Sequence, residues 1–562
     1  MDSNVHCSCA TIVPDDVPST QSSLLCPTHG DGGCFACQET SSLEHEAAEI
    51  SKKLANVLAK LASARSVKNY AHSTILAKLP NEILSHIFCA AWNAVDPSPP
   101  RGDICDYYEE PQKEKRLSVA LLLAGVCKRW RALTLAIPQI WTDIHVFIHR
   151  QKGDSALSIL HEIVKRSKHT DLTIRLYSEP FDNIDRIDEI QPALSILQKE
   201  SERWRSLQMC LPYRLISALF KPNMDLSQVN LLYVHSNERD YMGFGDPLWK
   251  DKGLRPQRLW LQSPAMQKIA LSWDRVTHIV AHRFNTDHAM TVIRSAPLLT
   301  TLELMDMDEA TEATEIYSGN FVHEKLQYLI YYAMDHCSAE WTLSLFDLNV
   351  FPSLKTVDYH TLFKTDDDPF LDHLMQKKPP IQELRLCGSP YESWCVMLAL
   401  RAVGSTLKRL DFEPYEDDHD DFEYGILFEH LAAVKSYPPS GDPSDSGDDQ
   451  QMFLPRLEYF KLTSGWPFAW DRVPAFFGSP SDPYRRPLKE FRFSAYNDHR
   501  NDDHIIPKKD LLALINLRNA GFVVESRGLR DICLKSLSTF TIWELLLRRH
   551  LRRHPQYNIS YY

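Results

Sequence analysis

One short apolar pattern, a large apolar residue followed three and five positions later by two more, recurs along most of the chain. It occurs at Trp204, Leu207, Met209; Val229, Leu232, Val234; Pro256, Leu259, Leu261; Val276, Ile279, Ala281; Leu299, Leu302, Leu304; and Leu326, Leu329, Tyr331. It continues at Leu354, Val357, Tyr359; Ile381, Leu384, Leu386; Leu407, Leu410, Phe412; Leu457, Phe460, Leu462; and Leu488, Phe491, Phe493. The last two positions of each copy alternate, as they do in a strand with one buried face. Successive copies mostly lie about 20 to 30 residues apart, the period of a unit holding one strand and one return segment. Prolines at 297, 352, 380, 455 and 487 stand just ahead of copies, where a strand begins and no ladder donor is demanded. Helical patterns fill some intervals, at residues 287–294, 369–376 and 393–403. A strand and a helix cannot bury their apolar sides alone, so such units stack into a solenoid with parallel strands. Varying intervals and the lack of an asparagine ladder predict an irregular one. A plain α/β domain with chance spacing is the competing reading.

Composition narrows the function classes. The chain of 562 residues can bury one long core or several separate ones. No apolar run approaches the length of a membrane span, and mean hydropathy is -0.32. A formal charge of -12 argues against general nucleic-acid affinity, which needs a basic face. The start, Met1 to Ala10, has neither a basic nor an apolar leader segment, so a cytoplasmic or nuclear protein with reduced thiols is expected. Residues 1–40 are rich in Ser, Thr, Pro, Asp and Cys without periodicity, and read as a disordered tail. Cys7, Cys9, Cys26, Cys34 and Cys37, with His29, could close on zinc; their spacing fits no familiar module, and an unligated tail is the adopted reading.

From Ser41 the pattern becomes helical. Ser41 and Glu44 have capping-box spacing, and Leu43, Ala47, Ile50, Leu54, Val57 and Leu61 advance by alternating steps of four and three. This heptad seam, within residues 41–70, can fold back on its neighbour or pair with a copy of itself; fold-back is the expected arrangement. Next comes Leu79-Pro80-Asn81-Glu82-Ile83-Leu84-Ser85-His86-Ile87-Phe88, with proline at a helix start and an apolar arc behind it. Downstream stand Val126-Cys127-Lys128-Arg129-Trp130-Arg131 with Leu133, then Pro138-Gln139-Ile140-Trp141. These two halves resemble the F-box family, in the form found in mushroom-forming fungi, with a heptad helix before the box and a Pro-x-x-Trp element after it. A proline-bearing excursion at residues 96–116 makes the link between the halves longer than in the shortest F-boxes.

The resemblance implies a small all-α unit over residues 71–145 whose exposed apolar face is completed by a Skp-type adaptor. Leu79, Pro80, Ile83, Leu84, Ile87 and Phe88 would form one half of that face. Val126, Cys127, Trp130 and Leu133 would join it or hold the helices together. The following domain, residues 146–555, resembles the leucine-rich-repeat receptors of the F-box class, so the whole chain is expected to be α+β. The implied function is a substrate receptor that presents a target protein to a cullin-based ubiquitin ligase for degradation. Catalysis then comes from proximity supplied by partners, with no cofactor, nucleic acid or membrane required. An adaptor-binding scaffold without ubiquitin output, and an enzyme with an unfamiliar site, are the alternatives. No G-x-S-x-G, phosphate-cradling loop or H-E-x-x-H supports the last. Two further stretches read structurally: residues 414–450 as an acidic solvated loop, and residues 540–554, with Arg548, Arg549, Arg552 and Arg553, as a capping helix.

Overall fold

The computed structural model describes residues 35–72, 79–95, 115–147, 154–178, 187–212, 215–216, 219, 224–235, 253–262, 270–307, 320–333, 345–361, 368–388, 393–414, 424–432, 452–464, 470–478, 485–495 and 508–527. The cysteines before residue 35 and the stretch 540–554 lie outside them, as do most of the excursion at 96–116 and the most acidic parts of 414–450. The chain divides into two compact units, Met1–Ile137 and Pro138–Tyr562, so the boundary falls at the Pro-x-x-Trp element rather than at residue 145.

The first unit is helical. Helix α1 is Phe35–His72, α2 is Asn81–Asn93, α3 is Lys115–Val126 and α4 is Lys128–Ala136. Helix α1 begins six residues before Ser41, which corrects both the capping box and the end of the predicted tail. Residues 35 to 40 contain no glycine or proline to stop the helix extending backwards. The expected fold-back is also corrected, because the seam residues Leu43, Ile50, Leu54, Val57 and Leu61 are all exposed.

In the second unit a 3-10 turn, Pro138–Trp141, leads into β1, Asp143–Phe147. The following strands are β2 (Leu172–Tyr177), β3 (Trp204–Cys210), β4 (Leu231–His235), β5 (Arg258–Gln262), β6 (His278–His282) and β7 (Thr301–Met307). After the short β8 (Phe321–Val322) come β9 (Tyr328–Ala333), the short β10 (Asn349–Val350), β11 (Thr356–Thr361), β12 (Glu383–Gly388) and β13 (Arg409–Pro414). The unit continues with β14 (Tyr459–Ser464), β15 (Glu490–Ala495) and β16 (Val523–Arg527). Fourteen of these form one sheet in chain order, each parallel to the next, while β8 and β10 make a separate two-stranded ladder. The return segments include α5 (Asp154–Arg166), α6 (Ile187–Gln198), α7 (Thr286–Ser295), α8 (Pro369–Lys377) and α9 (Ser393–Val403). Further along are α10 (Tyr424–Ala432), α11 (Val473–Phe477) and α12 (Lys508–Asn519).

All residues of the eleven apolar triplets are buried, the last two of each on a strand and the first at or before its start. They share one continuous core with the helix residues Met290, Ile293, Phe370, Leu374, Val396, Leu400, Phe428 and Phe476. The return segments therefore cover one face of the sheet. A repeated hydrogen bond fixes the step from strand to strand. One carbonyl just ahead of a strand accepts two successive amides of the next repeat: Thr277 O from Thr300 and Thr301, Thr300 O from Gln327 and Tyr328, Gln327 O from Lys355 and Thr356, and Lys355 O from Gln382 and Glu383. Gly388 in β12, at φ +94, could not carry a side chain, since a Cβ there would lie 1.7 Å from the Thr361 carbonyl oxygen.

Four elements depart from the expectation. Strands β1, β2 and β16 lack the full apolar triplet or share it with another motif: Trp141 belongs to the Pro-x-x-Trp element, while Asp171 and Gly521 hold the first position for β2 and β16. Helix α10 lies inside the predicted acidic loop. Its Leu427, Phe428 and Leu431 are buried in the core and hold this short helix against the acidic sequence around it. At the far side of that interval Arg486 is buried and donates to four carbonyls: Leu431 at 2.7 Å, Phe453 at 2.7 Å, Leu454 at 3.2 Å and Phe476 at 3.1 Å. Burial lowers its guanidinium to about 10, so it stays charged at neutral pH.

Asp368 caps α8, accepting from the Phe370 amide at 2.9 Å, the Leu371 amide at 3.1 Å and the Tyr359 hydroxyl at 3.3 Å. Burial outweighs these three donors and raises its carboxyl to about 6. Between about pH 4 and 6 the native chain thus holds a proton that the unfolded chain has released, and this residue's contribution to stability falls as pH rises through that window. An asparagine in its place would keep the cap without the buried charge. The Asp368→Asn variant is expected to gain on the wild type between pH 4 and 7.5 by on the order of 2 kcal/mol. Denaturant titration of the sheet unit at both pH values measures the difference.

Candidate functional sites

Helix α2 begins after Pro80, whose carbonyl accepts the Leu84 amide at 3.1 Å. Its apolar residues separate onto two faces. Leu84, Phe88 and Trp92, four residues apart, are buried, whereas Pro80, Ile83 and Ile87 are exposed, the two isoleucines at 46% and 47%. The buried side meets α4 through Phe88 and Trp130, whose rings lie 4.8 Å apart. Arg116 stacks over Trp92 at 4.1 Å and donates to the Val95 carbonyl at 3.2 Å, closing the end of α2. Arg129 closes its start, donating to the Leu79 carbonyl at 2.8 Å and the Asn81 side-chain oxygen at 2.7 Å. The two halves of the box-like pattern, some fifty residues apart in sequence, are therefore joined by direct hydrogen bonds.

The second half spans two helices. Val126 ends α3, and Cys127, in extended backbone, caps α4 by accepting the Trp130 amide on its sulfur at 3.5 Å. The small thiol replaces the usual oxygen acceptor, a substitution that sequence rules for caps do not anticipate. Of the ten residues expected on the adaptor face, Leu84 and Phe88 are interior and Leu79, Cys127, Trp130 and Leu133 are half-buried. Pro80, Ile83, Ile87 and Val126 are open to solvent. Sequence reasoning missed Leu121 and Leu122 on α3, exposed at 58% and 72%. The run Leu121-Leu122-Leu123 just before Val126 was the available signal, since three consecutive leucines cannot all face one core.

The second candidate surface is the face of the sheet opposite the helices. Its side chains form rows in register across the strands. The middle row reads His145, Arg175, Gln208, Tyr233, Trp260, Val280, Glu303, Ile330, Asp358, Arg385, Asp411, Lys461, Arg492 and Glu525. Its central part is aromatic and aliphatic, with Tyr233 and Trp260 rings 6.1 Å apart and the neighbouring Tyr332 stacked on His360 at 3.9 Å. Its later part is charged, alternating from Asp358 to Lys461 before two cations, Lys461 and Arg492, stand side by side. Arg385 lies 3.3 Å from Asp358 and 3.5 Å from Glu413, and Lys461 lies 3.2 Å from Asp411. Burial alone would lower the Arg385 guanidinium, but the surrounding carboxylates more than offset it and hold it up. Burial raises the Asp358 carboxyl, and Arg385 only partly offsets that. Burial also pulls the histidines His235 and His360 down to about 4, leaving both neutral at physiological pH.

This surface can hold a polypeptide by aromatic contact and charge matching. No group of three or more His, Cys, Asp or Glu suited to a metal occurs among the described residues. No described helix is long and apolar enough to cross a membrane. A scan against protein-family models finds no match, and a search of curated proteins finds no similar sequence.

The division of α2 into two faces is testable. Phe88→Ala should destabilise the helical unit by about 3 to 5 kcal/mol. Ile83→Asp with Ile87→Asp should leave its stability within about 1 kcal/mol. Hydrogen exchange of the α2 and α4 amides in the full chain distinguishes the two outcomes.

Proposed function

We propose that this protein is an F-box-type substrate receptor, which docks on a Skp-type adaptor through its helical unit and holds a target protein on its sheet. The observation that carries the reading is the apolar surface left open on a very small helical unit. Pro80, Ile83 and Ile87 at and within the start of α2 and Leu121, Leu122 and Val126 on α3 present large side chains to solvent, in helices already joined by Arg116 of α3, which stacks on Trp92 and donates to the Val95 carbonyl. Fully covering one such side chain is worth about 1.5 to 3 kcal/mol, so a partner with a complementary apolar groove would both bind here and stabilise the unit. The box-like sequence halves flank this surface, which favours an adaptor of the Skp type.

The repeat architecture supports the second half of the proposal. A parallel sheet in chain order, one strand per repeat, with return segments on one face only, fits a leucine-rich-repeat-like solenoid. Its open face, aromatic in the centre and charged toward β16, suits protein recognition by large rigid side chains. The receptor acts by bringing its target to a cullin-based ligase, so the chain itself requires neither cofactor nor catalytic group.

Coexpression with a Skp-type adaptor tests the docking step. The wild-type chain is expected to copurify with it in equal amounts. Ile83→Asp with Leu122→Asp should reduce capture at least tenfold while the sheet unit stays folded. Capture that is absent in the wild type, or equal in the variant, would refute the reading. A reconstituted ligase then separates a degradation receptor from an adaptor-bound scaffold: ubiquitin transfer to proteins held by the sheet is expected for the first and absent for the second.

A further inference from the structure

The seam of α1 has a symmetry that the adaptor surface does not use. Its apolar positions, Leu43, Ala47, Ile50, Leu54, Val57 and Leu61, are spaced by four, three, four, three and four residues, a series that reads the same in both directions. Laid antiparallel on a copy of itself, centred on Lys52, the seam matches Leu43 with Leu61, Ala47 with Val57 and Ile50 with Leu54, each pair occurring twice. Every position of one helix then faces an apolar position of the other. The large members of the series are 43% to 60% exposed, so the surface is open.

Charge selects the direction. All four carboxylates of α1, Glu39, Glu44, Glu46 and Glu49, precede residue 50, and all five of its Lys and Arg side chains, Lys52, Lys53, Lys60, Arg65 and Lys68, follow it. A single helix is favoured by this arrangement through its macrodipole, yet that effect is confined to the first and last turns. Two helices in parallel would set carboxylates beside carboxylates and cations beside cations. Antiparallel pairing sets each acidic half on a basic half, with Glu46 flanking Lys60 of the other copy at both ends of the seam. The one like-charge meeting is Lys53 with its own copy at the centre. Each of these ammonium groups has Glu49 of its own helix at 3.4 Å.

We propose that α1 is a self-association element through which two copies of this chain pair as an antiparallel coiled coil. The occupant of the seam is thus a second copy rather than the chain's own later helices. Antiparallel pairing sends the chains that follow the two helices out at opposite ends, so two receptor units would be held apart instead of side by side. The inference is independent of the adaptor surface and stands whether or not that surface binds its proposed partner.

Sedimentation of the full chain over a range of concentrations should show a monomer–dimer equilibrium that weakens as salt is added. Leu54→Glu should weaken it at least tenfold. Glu44→Lys with Glu46→Lys should weaken it comparably, and adding Lys60→Glu with Arg65→Glu in the same chain should restore it. A photocrosslinking residue in place of Leu43, in a mixture of isotopically light and heavy chains, should join the two copies near Leu61. A chain that stays monomeric, an oligomer indifferent to Leu54→Glu, crosslinks confined to one chain, or crosslinks between the two Leu43 regions would each overturn the proposal.

Discussion

The paired amides that converge on one carbonyl at successive strand starts are the constraint from which the middle of the sheet follows. Because Thr277, Thr300, Gln327 and Lys355 each accept two amides from the next repeat, the strands β7, β9, β11 and β12 each enter the sheet at the same height as the one before. The alternation within each strand then places the last two residues of each apolar triplet on the helix side, since a slip of one residue would turn them to the other face. Return segments are free to vary in form, as a helix at α9 or the turn from Trp273 to Val276 just before β6, provided they end at that carbonyl. Irregular intervals and a regular sheet are therefore compatible.

A parallel sheet is usually covered on both faces. Here the helices occupy one, and the other carries Tyr233, Trp260, Tyr332 and the charged ladder around Arg385. The charges on that face largely answer one another, which limits the cost of holding them in fixed rows beside a sheet. The helical unit shows the same economy in another form. Arg116, Arg129 and Arg131 each donate to a main-chain carbonyl at a helix end, so the unit closes its helices by hydrogen bonds and leaves apolar area at its surface.

Much of the sheet unit was legible in the sequence because its period and its burial are the same fact. The last two residues of each apolar triplet from Trp204 to Phe493 lie on a strand of the single sheet, and the helical pattern at 393–403 coincides with α9. The omissions have local causes. Asp171 and Gly521 interrupt the template toward the two ends of the sheet, and at β1 the first position of the template, Trp141, was already taken up by the Pro-x-x-Trp element. At the helical unit the pattern identified which residues are apolar but could not say which side of α2 faces inward. Ile83 and Leu84 are adjacent and chemically alike, yet Leu84 is buried beside Phe88 on the inner side of α2 while Ile83 is exposed. Leu121 and Leu122 escaped notice because the long excursion before α3 separates them from the first half of the pattern.

Arg486 bears on how this fold tolerates change. Its four acceptors are the carbonyls of Leu431, Phe453, Leu454 and Phe476, so one guanidinium gathers the chain where it leaves α10, where it returns before β14, and where α11 ends. The departure and return points are thereby spliced together, and the length of chain between them becomes a free variable that leaves the register of β13 and β14 untouched. A foreign sequence could be inserted between those points, or the native one shortened, with the repeats on either side continuing as if adjacent. The same clamp makes this interval a natural place for a lineage to add or lose material without reopening the core.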